Sequence, residues 1–577
     1  MPKILVAAID FGTTYSGWAF SFKHDFESEP TKVTAKVWTG GQLVSSKGPT
    51  CALIKPDGTT LHSFGYDAET KYASLADTEE HKPWYFFSRF KMLLFDHEDG
   101  IHRDTKIKDS TDKELSALTV FSLSIKFLKE DMIETSSQRL LSGGLKKEDI
   151  DWVLTVPAIW DDAAKQFMRE AAVKAGIDND RLTIALEPEA ASLFCRHLPI
   201  EKNTKGNSQS LAAFKAGTKY LVLDAGGGTV DITVHEVMAN NKLKELHKAS
   251  GGAWGGTKVD DAFRQFLIKL VGGPVMKKFQ NKHMDDYLDI FRDFEIKKRD
   301  IGPSKADRVT FRLPSALSST FKDHTGETLL DIIPQTSFSD QLSLTGDKLR
   351  VDIDLVKRFF KDPVDNITDH VENLLKEPTV TGCAAILMVG GFSDSPLLQQ
   401  AIRSKFPRVK VIIPNEAGLA VLKGAVIYGH SPRMISERIS KYTYGVNCCQ
   451  DYREGHHPSQ RKVKQKDGSF NVDHIFDIYV KSGQKIKVDD EVKNNYCVHE
   501  PDQDGMNILF YYTIDDSPSF TDDPGCKRLG QMHVDCPGHG KDRSAEVTMK
   551  FGLTEIEACT KVLHTGKITS TKLNFLG

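Results

Sequence analysis

A strand that ends in an aspartate and a glycine turn occurs twice in this chain, and that repeat limits what it can fold into. Leu221-Val222-Leu223-Asp224-Ala225-Gly226-Gly227-Gly228-Thr229-Val230-Asp231-Ile232-Thr233-Val234 reads as strand, tight turn, strand. An apolar run meets an acid, three glycines let the backbone close near a ligand, and Ile232 and Val234 resume the alternation. Such a turn offers backbone N–H groups to phosphate oxygens. Carboxylates beside phosphate, here Asp224 and Asp231, hold Mg²⁺ directly or through its waters. Taken once, the pattern also describes a plain hairpin. The second copy decides: Ile4–Ile9 runs into Asp10-Phe11-Gly12-Thr13-Thr14-Tyr15-Ser16-Gly17, and a strand returns through Trp18 and Phe20. Two such units, about two hundred residues apart, imply a duplicated α/β domain. Facing each other across a cleft, the two turns would grip a triphosphate from both sides.

At 577 residues the chain has room for several domains and large cores. Hydrophobic residues at 40% and charged residues at 27% are those of a globular protein. A net charge of −3 argues against an electrostatic grip on nucleic acid or on an acidic membrane. The apolar run Ile4–Ile9 is too short for a signal peptide, and no run approaches the length of a membrane span. Nine cysteines with no CxxC pair point to reduced thiols and a cytoplasmic location.

Between and beyond the two turns, Lys32–Trp38 alternates as a third strand, and residues 112–135 carry a helical stripe through Leu118, Phe121, Ile125 and Leu128. Lys91, in the aromatic segment Pro83–Phe95, is a candidate phosphate-binding or water-positioning group, although a lone lysine is usually just a solvated face. Trp152–Val156, Asp161–Ala175 and Leu182–Leu186 read as strand, helix, strand. The last strand runs into Glu187-Pro188-Glu189-Ala190-Ala191, which puts Glu187 where open α/β sheets bind ligands and where it could orient or deprotonate a water. A helix N-terminal acid is the simpler account of Glu189. Residues 196–218 are a polar surface insertion. Gly255-Gly256 form another turn before a helix, and Glu295, Lys298 and Arg299 share or adjoin one face of the helix Phe291–Arg299, which alone is more often a solvated face than a site. Ala384–Val389 is a buried strand that breaks at Gly390-Gly391, a further place for a nucleotide. The helix Glu416–Tyr428 closes the α/β part. From about residue 431, strands at Phe476–Val480, Ile508–Ile514, Met532–Cys536, Ala545–Phe551 and Lys567–Leu573, separated by Gly, Pro and Asp turns, predict a small β-sandwich. The basic run Arg461–Lys466 reads as a hairpin face, and Cys526, His533, Cys536 and His539 match no standard zinc spacing.

Together these motifs resemble the actin-like ATPase superfamily. Asp10–Ser16 looks like its first phosphate motif, Asp224–Asp231 its second, and Val389-Gly390-Gly391-Phe392-Ser393 its adenosine motif. Val156-Pro157-Ala158 and Glu187–Ala191 narrow the resemblance to the 70-kilodalton heat-shock proteins. The divergent 12 (A/B type) branch fits best, on Ala417–Val426 and Tyr444-Gly445-Val446-Asn447. The resemblance implies a duplicated ribonuclease H-like, two-lobed ATPase domain over 1–430, with lobe I about 1–218, lobe II about 219–390 and a return to lobe I over about 391–430. A β-rich domain over 440–577 would follow, similar to a substrate-binding domain without a lid. ATP or ADP with Mg²⁺ would lie between the lobes and ATP would be slowly hydrolysed. By motif position, Asp10, Asp224 and Asp231 would hold Mg²⁺ and its waters, Lys91 and Glu187 would be the catalytic lysine and water-positioning acid, and Thr13, Thr14 and Thr229 would contact phosphates. Gly12, Tyr15, Gly226, Gly227, Gly228, Gly255 and Gly256 would complete the phosphate side. Glu295, Lys298, Arg299, Gly390, Gly391, Phe392 and Asp394 would form the adenosine side.

The departures from the family pattern carry expectations too. Asp394 stands where the family has an arginine that stacks on adenine, and Gly302 where a serine would meet the base. Ser431–Lys441 is polar and basic, with only Met434, Ile435 and Ile439 to bury, so weak coupling between nucleotide and client binding is expected. The sequence given ends at Gly577 just after a strand, without a lid or acidic tail. Three functions are open: a weak ATPase of chaperone type with protein or peptide clients and cochaperones; a nucleotide-dependent scaffold or sensor with vestigial hydrolysis; and a small-molecule kinase of the same superfamily, for which no acceptor motif is seen.

Overall fold

The computed structural model describes residues 4–40, 43–95, 100–138, 145–198, 211, 214–465, 468–551, 554–572 and 576. The chain forms two compact units. One is Met1–Trp160, Phe167–Thr233 and Ser250–Pro432; the other is Asp161–Gln166, Val234–Ala249 and Arg433–Gly577.

In the first unit both Asp–glycine turns close a hairpin at the centre of a sheet. Leu5–Phe11 is buried along its whole length. It pairs in parallel with Ile150–Val156, which pairs in parallel with Leu182–Leu186, and antiparallel with Tyr15–Phe22 on its other side. The second sheet repeats this order. Lys219–Ala225 lies between Ala385–Val389 and Val230–Val237, and Ala385–Val389 pairs in parallel with Lys410–Ile412. Ala385–Val389 is apolar and buried throughout, and Lys219–Ala225 is buried from Tyr220 on, so both are covered on their two faces and read as hydrophobic runs rather than alternations. Both aspartates therefore sit at the carboxyl ends of central strands.

The helical stripe through Phe121, Ile125 and Leu128 is the buried face of Ala117–Ser137. The third strand expected over Lys32–Trp38 is broken. Only Thr34–Ala35 pairs with Tyr15–Phe22, while Trp38–Gly40 turns away to pair with Leu43–Ser45. Trp38 is buried against Phe64 and leaves the sheet to reach it, a tertiary contact that alternation does not report. A three-stranded sheet of Leu61–Phe64, Cys51–Ile54 and Tyr85–Ser88 runs into the 3₁₀ turn Phe90–Leu94, which carries Lys91. Most of the insertion expected at 196–218 lies outside the described residues.

In the second unit, five strands are ordered Lys462–Lys464, Phe470–Val480, Thr443–Asp451, Gly505–Thr513, Lys527–Asp535, and four are ordered Glu491–Cys497, Ser544–Lys550, Glu557–Val562, Ile568–Lys572. The pairings within these two sheets are antiparallel. Val446, Phe510 and Val534 from the first and Ala545, Val547 and Met549 from the second belong to one core, and the Tyr479 hydroxyl donates to the Val547 carbonyl at 3.1 Å. Lys462–Lys464 is the edge strand, as a hairpin face would be. Among the described residues no group of three or more His, Cys, Asp or Glu side chains is arranged to hold a metal ion, and no helix is long and apolar enough to cross a membrane.

The segment after residue 431 departs from expectation. Ile435–Ile439 is a strand, parallel to Leu243–Gly252 through Leu243 and Lys244 and antiparallel to Lys485–Lys487. Ile435 is fully buried, Ser436 Oγ donates to the Leu243 carbonyl at 3.0 Å, and the Ile439 amide donates to Glu245 Oε2 at 2.9 Å. Counting apolar side chains underestimated this segment because backbone and polar hydrogen bonds hold it.

Candidate functional site

The two Asp–glycine turns meet. A Cβ added to Gly227 would overlap Thr14 Oγ1, and one added to Gly228 would overlap Thr13 Oγ1 and Met92 Sδ, so only glycine allows this approach. Around them lies a pocket of about 270 Å³, lined by Asp10, Gly12, Thr13, Thr14, Tyr15, Lys91, Glu187, Asp224, Gly226, Gly227, Gly228, Thr229 and Gly256 on one side. Glu295, Lys298, Arg299, Gly390, Gly391, Phe392 and Asp394 also line it. Twenty of the site residues named from the sequence thus share one cavity.

Two do not line it. Gly255 supports the turn from behind, where its amide donates to the Gly228 carbonyl at 3.0 Å. The amides of Gly256 and Thr257 likewise donate to the Gly226 and Gly227 carbonyls, at 3.1 and 2.8 Å. This second glycine turn therefore spends its donors on bracing the first. Asp231 is 1% exposed and its Oδ1 accepts from the Ile159 amide at 2.9 Å.

Several of the charges are arranged in pairs. Asp10 Oδ1 accepts from Thr155 Oγ1 at 2.9 Å, across the parallel register that sets Asp10 beside Thr155. Lys91 is 2% exposed; its ammonium donates to Glu187 Oε1 at 2.7 Å and lies 5.0 Å from the Trp160 ring centre. Glu187 directly follows the strand Leu182–Leu186 and is the first residue of the helix Glu187–His197. Burial pushes its carboxyl up to about 7, with Lys91 opposing and Asp10 and Asp231 adding to the rise. Asp224 has no such ion pair among the described residues. Burial first, then Glu187, Asp231 and Asp10, push its carboxyl well above the usual range. Burial also raises Asp231, against the pull of the Ile159 amide.

On the far side, Lys298 donates to Asp260 Oδ1 at 2.6 Å and pairs with Glu295 at 2.5 Å, while Arg299 Nη2 donates to Glu295 Oε1 at 2.6 Å and lies over Tyr15. Glu295 and Lys298, from the helix Met284–Lys298, and Arg299, which caps it, all line the pocket, and Arg299 stays exposed. Asp394 lines the pocket from an exposed position; partial desolvation raises its carboxyl and Arg299 opposes the rise. Gly302 is not among the lining residues.

Sequence reasoning missed several members of this site. Arg89 donates to Asp260 Oδ2 at 2.7 Å and anchors the Lys298 network. Ser45, Ser46 and Lys47 line the pocket, and the Lys47 ammonium donates to Asp10 Oδ2 at 2.5 Å. The polar turn Ser45-Ser46-Lys47-Gly48 was the available signal.

A family model described as "Hsp70 protein" matches residues 89–453. Heat shock 70 kDa protein 12A of Mus musculus is 34% identical, over 99% of this chain and 92% of that protein. The chain belongs to the Hsp70 family. Within it, the similarity to 12A, and at 33% identity to heat shock 70 kDa protein 12B of Homo sapiens over 99% of this chain and 91% of that one, puts it in the 12A/B branch. Chaperone protein DnaK of Thermoplasma volcanium is 27% identical over only 51% of this chain and 42% of its own.

The residues of this Hsp70-family pocket fit a nucleotide with Mg²⁺. Thr14 Oγ1 is buried without a partner among the described residues and lines the cavity, as a phosphate donor would. Four buried carboxylates influence one another in the presence of two lysines, which leaves an excess of negative charge for a cation.

Proposed function

We propose that this chain binds MgATP and MgADP in the pocket and hydrolyses ATP slowly. One observation carries the reading: both Asp–glycine turns, Lys91 and Glu187 line one cavity with Glu295, Lys298 and Arg299. Thr13, Thr14 and the Gly226–Gly228 turn would hold the phosphates, and Glu295, Lys298 and Arg299 the adenosine. Asp224, with Asp10 and Asp231, would hold hydrated Mg²⁺, which when bound supplies charge neutralisation to the phosphoryl groups. Glu187, raised by burial and held by Lys91, is suited to take a proton from an attacking water. The repeated sheet order supports a duplicated ribonuclease H-like architecture with the pocket between its halves, and the two antiparallel sheets support a sandwich-like client-binding domain. Protein clients and cochaperones, suggested by the family, and a cytoplasmic setting, suggested by the unpaired cysteines, are part of the proposal. Calorimetry with ADP and ATP, followed by phosphate release on the same sample, tests it. Heat with both nucleotides and slow release of phosphate are expected; no heat with either nucleotide overturns it.

A second reading, a nucleotide-dependent scaffold or sensor with vestigial hydrolysis, has one specific support: the ion pair of Lys47 with Asp10.

A further inference from the structure

Of the nine cysteines in this chain, only Cys449 and Cys497 are exposed. Cys449 sits where the pairing of Thr443–Asp451 with Phe470–Val480 breaks. Cys448 faces Ile475 and Gln450 faces Val472, so Cys449 stands alone against Asp473 and His474. His474 is in the left-handed region, with φ 63°, and its carbonyl accepts from the Thr521 amide at 2.7 Å. A bulge of this kind re-aims a side chain. Here it brings Cys449 Sγ to 3.8 Å from His499 Nδ1. The other ring nitrogen, Nε2, lies 3.0 Å from Gln465 Oε1. An amide oxygen only accepts, so Nε2 carries the ring proton and Nδ1 turns its lone pair to the thiol. The His499 backbone amide donates to Gln503 Oε1 at 2.9 Å, which fixes the residue that carries the ring. Nucleophile, base and orienting group thus come from three separate segments, the arrangement of an assisted thiol. Partial desolvation, then Asp473 and Asp451, push the thiol above its usual range, so it keeps its proton at neutral pH and needs a base to react.

We propose that Cys449 is a modification site, at which a neutral carbon electrophile of the α,β-unsaturated carbonyl class adds to the sulfur with His499 as the base. As the S–C bond forms at the β-carbon, the thiol proton passes to His499 Nδ1 and the C=C pair moves onto the carbonyl as an enolate. The imidazolium then returns a proton to the α-carbon. The step is an addition, with no leaving group, oxidant or reductant. The surroundings select the class. Asp473 and Asp451 repel anionic reagents, and a thiol that stays protonated resists oxidation, which proceeds through the thiolate. Gln465 acts through His499 and is a positioning residue.

The test is timed labelling of the full chain with N-ethylmaleimide, a neutral member of this class, with each cysteine peptide followed by mass spectrometry. Cys497 in the same sample is the reference. At pH 7, Cys449 is expected to react about tenfold faster than Cys497 or more, the low end of what a positioned base supplies. Between pH 7 and pH 8 the Cys497 rate should rise about tenfold with its thiolate fraction. The Cys449 rate should stay nearly level there and fall below about pH 6.5, as His499 takes up a proton. His499→Gln should lower the Cys449 rate about tenfold and give it the pH slope of Cys497. Gln465→Ala should lower the rate less and steepen the slope; an unchanged slope removes Gln465 from the relay. A wild-type Cys449 with less than a tenfold advantage over Cys497, or with the same slope, overturns the proposal and needs no variant to fold. So does an unchanged Cys449 rate in His499→Gln, which would make the imidazole a neighbour only.

Discussion

Asp224 is the least comfortable residue in the pocket. It is buried at a strand end among three other carboxylates, and the described bonds give it no cation in contact. Its folded-state pKa lies above the unfolded one, so the stability it lends is complete below about pH 4 and drains away as the pH rises. In nucleotide- and metal-free protein at pH 8, Asp224→Asn should therefore stabilise by roughly 1 kcal/mol, the scale of relieved functional sites. Scanning calorimetry at pH 8 and pH 5 checks this: the variant melts higher at pH 8 and the gap narrows at pH 5. A variant that melts lower at pH 8 would mean that its carboxylate is satisfied after all. Trp160 makes the second residue-scale prediction. Its ring faces the Lys91 ammonium at 5.0 Å, a contact worth about 0.5–2 kcal/mol. Trp160→Leu should lower ATP turnover about tenfold with little change in ADP affinity, and Trp160→Phe should fall between. Equal losses of affinity and turnover would show that the ring shapes the pocket rather than positions the lysine.

The strand Ile435–Ile439 shows what an element can do with few apolar side chains. It takes its place through parallel pairing at Leu243, antiparallel pairing at Lys485–Lys487, and a carboxylate bond from Glu245 to the Ile439 amide. Of its apolar side chains only Ile435 is buried, so backbone pairing contributes most of what holds it. Hydrogen exchange should find the Ile439 amide protected in the full chain. Glu245→Ala removes its acceptor and should cost about 1–3 kcal/mol locally, seen as faster exchange at that amide. Fast exchange there in the wild type would show that the strand is not held.

At the scale of the whole molecule, the second compact unit is not one stretch of chain. It includes Asp161–Gln166 and Val234–Ala249 besides Arg433–Gly577. Tyr444, 6% exposed, donates its hydroxyl to Asp162 Oδ2 at 2.7 Å, and burial with the neighbouring carboxylate pushes its pKa up. A fragment spanning 433–577 lacks Asp162, Leu243 and Glu245 together. It should melt at a lower temperature than the same strands in the full chain, with Tyr444 newly exposed, as tyrosine absorbance and thermal melts would record. An isolated fragment as stable as the full-length unit would show that those two segments add nothing to it.

The sequence by itself determined the family, the central strands and most of the pocket, because those features are local. An apolar run, an acid and a glycine turn must be contiguous to work, and Gly226–Gly228 can be recognised as a turn without knowing what it faces. Leu182–Leu186 and the glutamate that follows it were legible for the same reason. Only the tertiary structure decided what has partners far away in the chain. Lys47 meets Asp10 from a separate loop, and Arg89 meets Asp260 from 171 residues away. Trp38 leaves its strand for Phe64, and Ile435–Ile439 pairs beside a strand that ends near residue 252. In each case the deciding term is an ion pair, a ring contact or a backbone ladder between distant segments, and a periodicity read over a dozen residues contains no record of it.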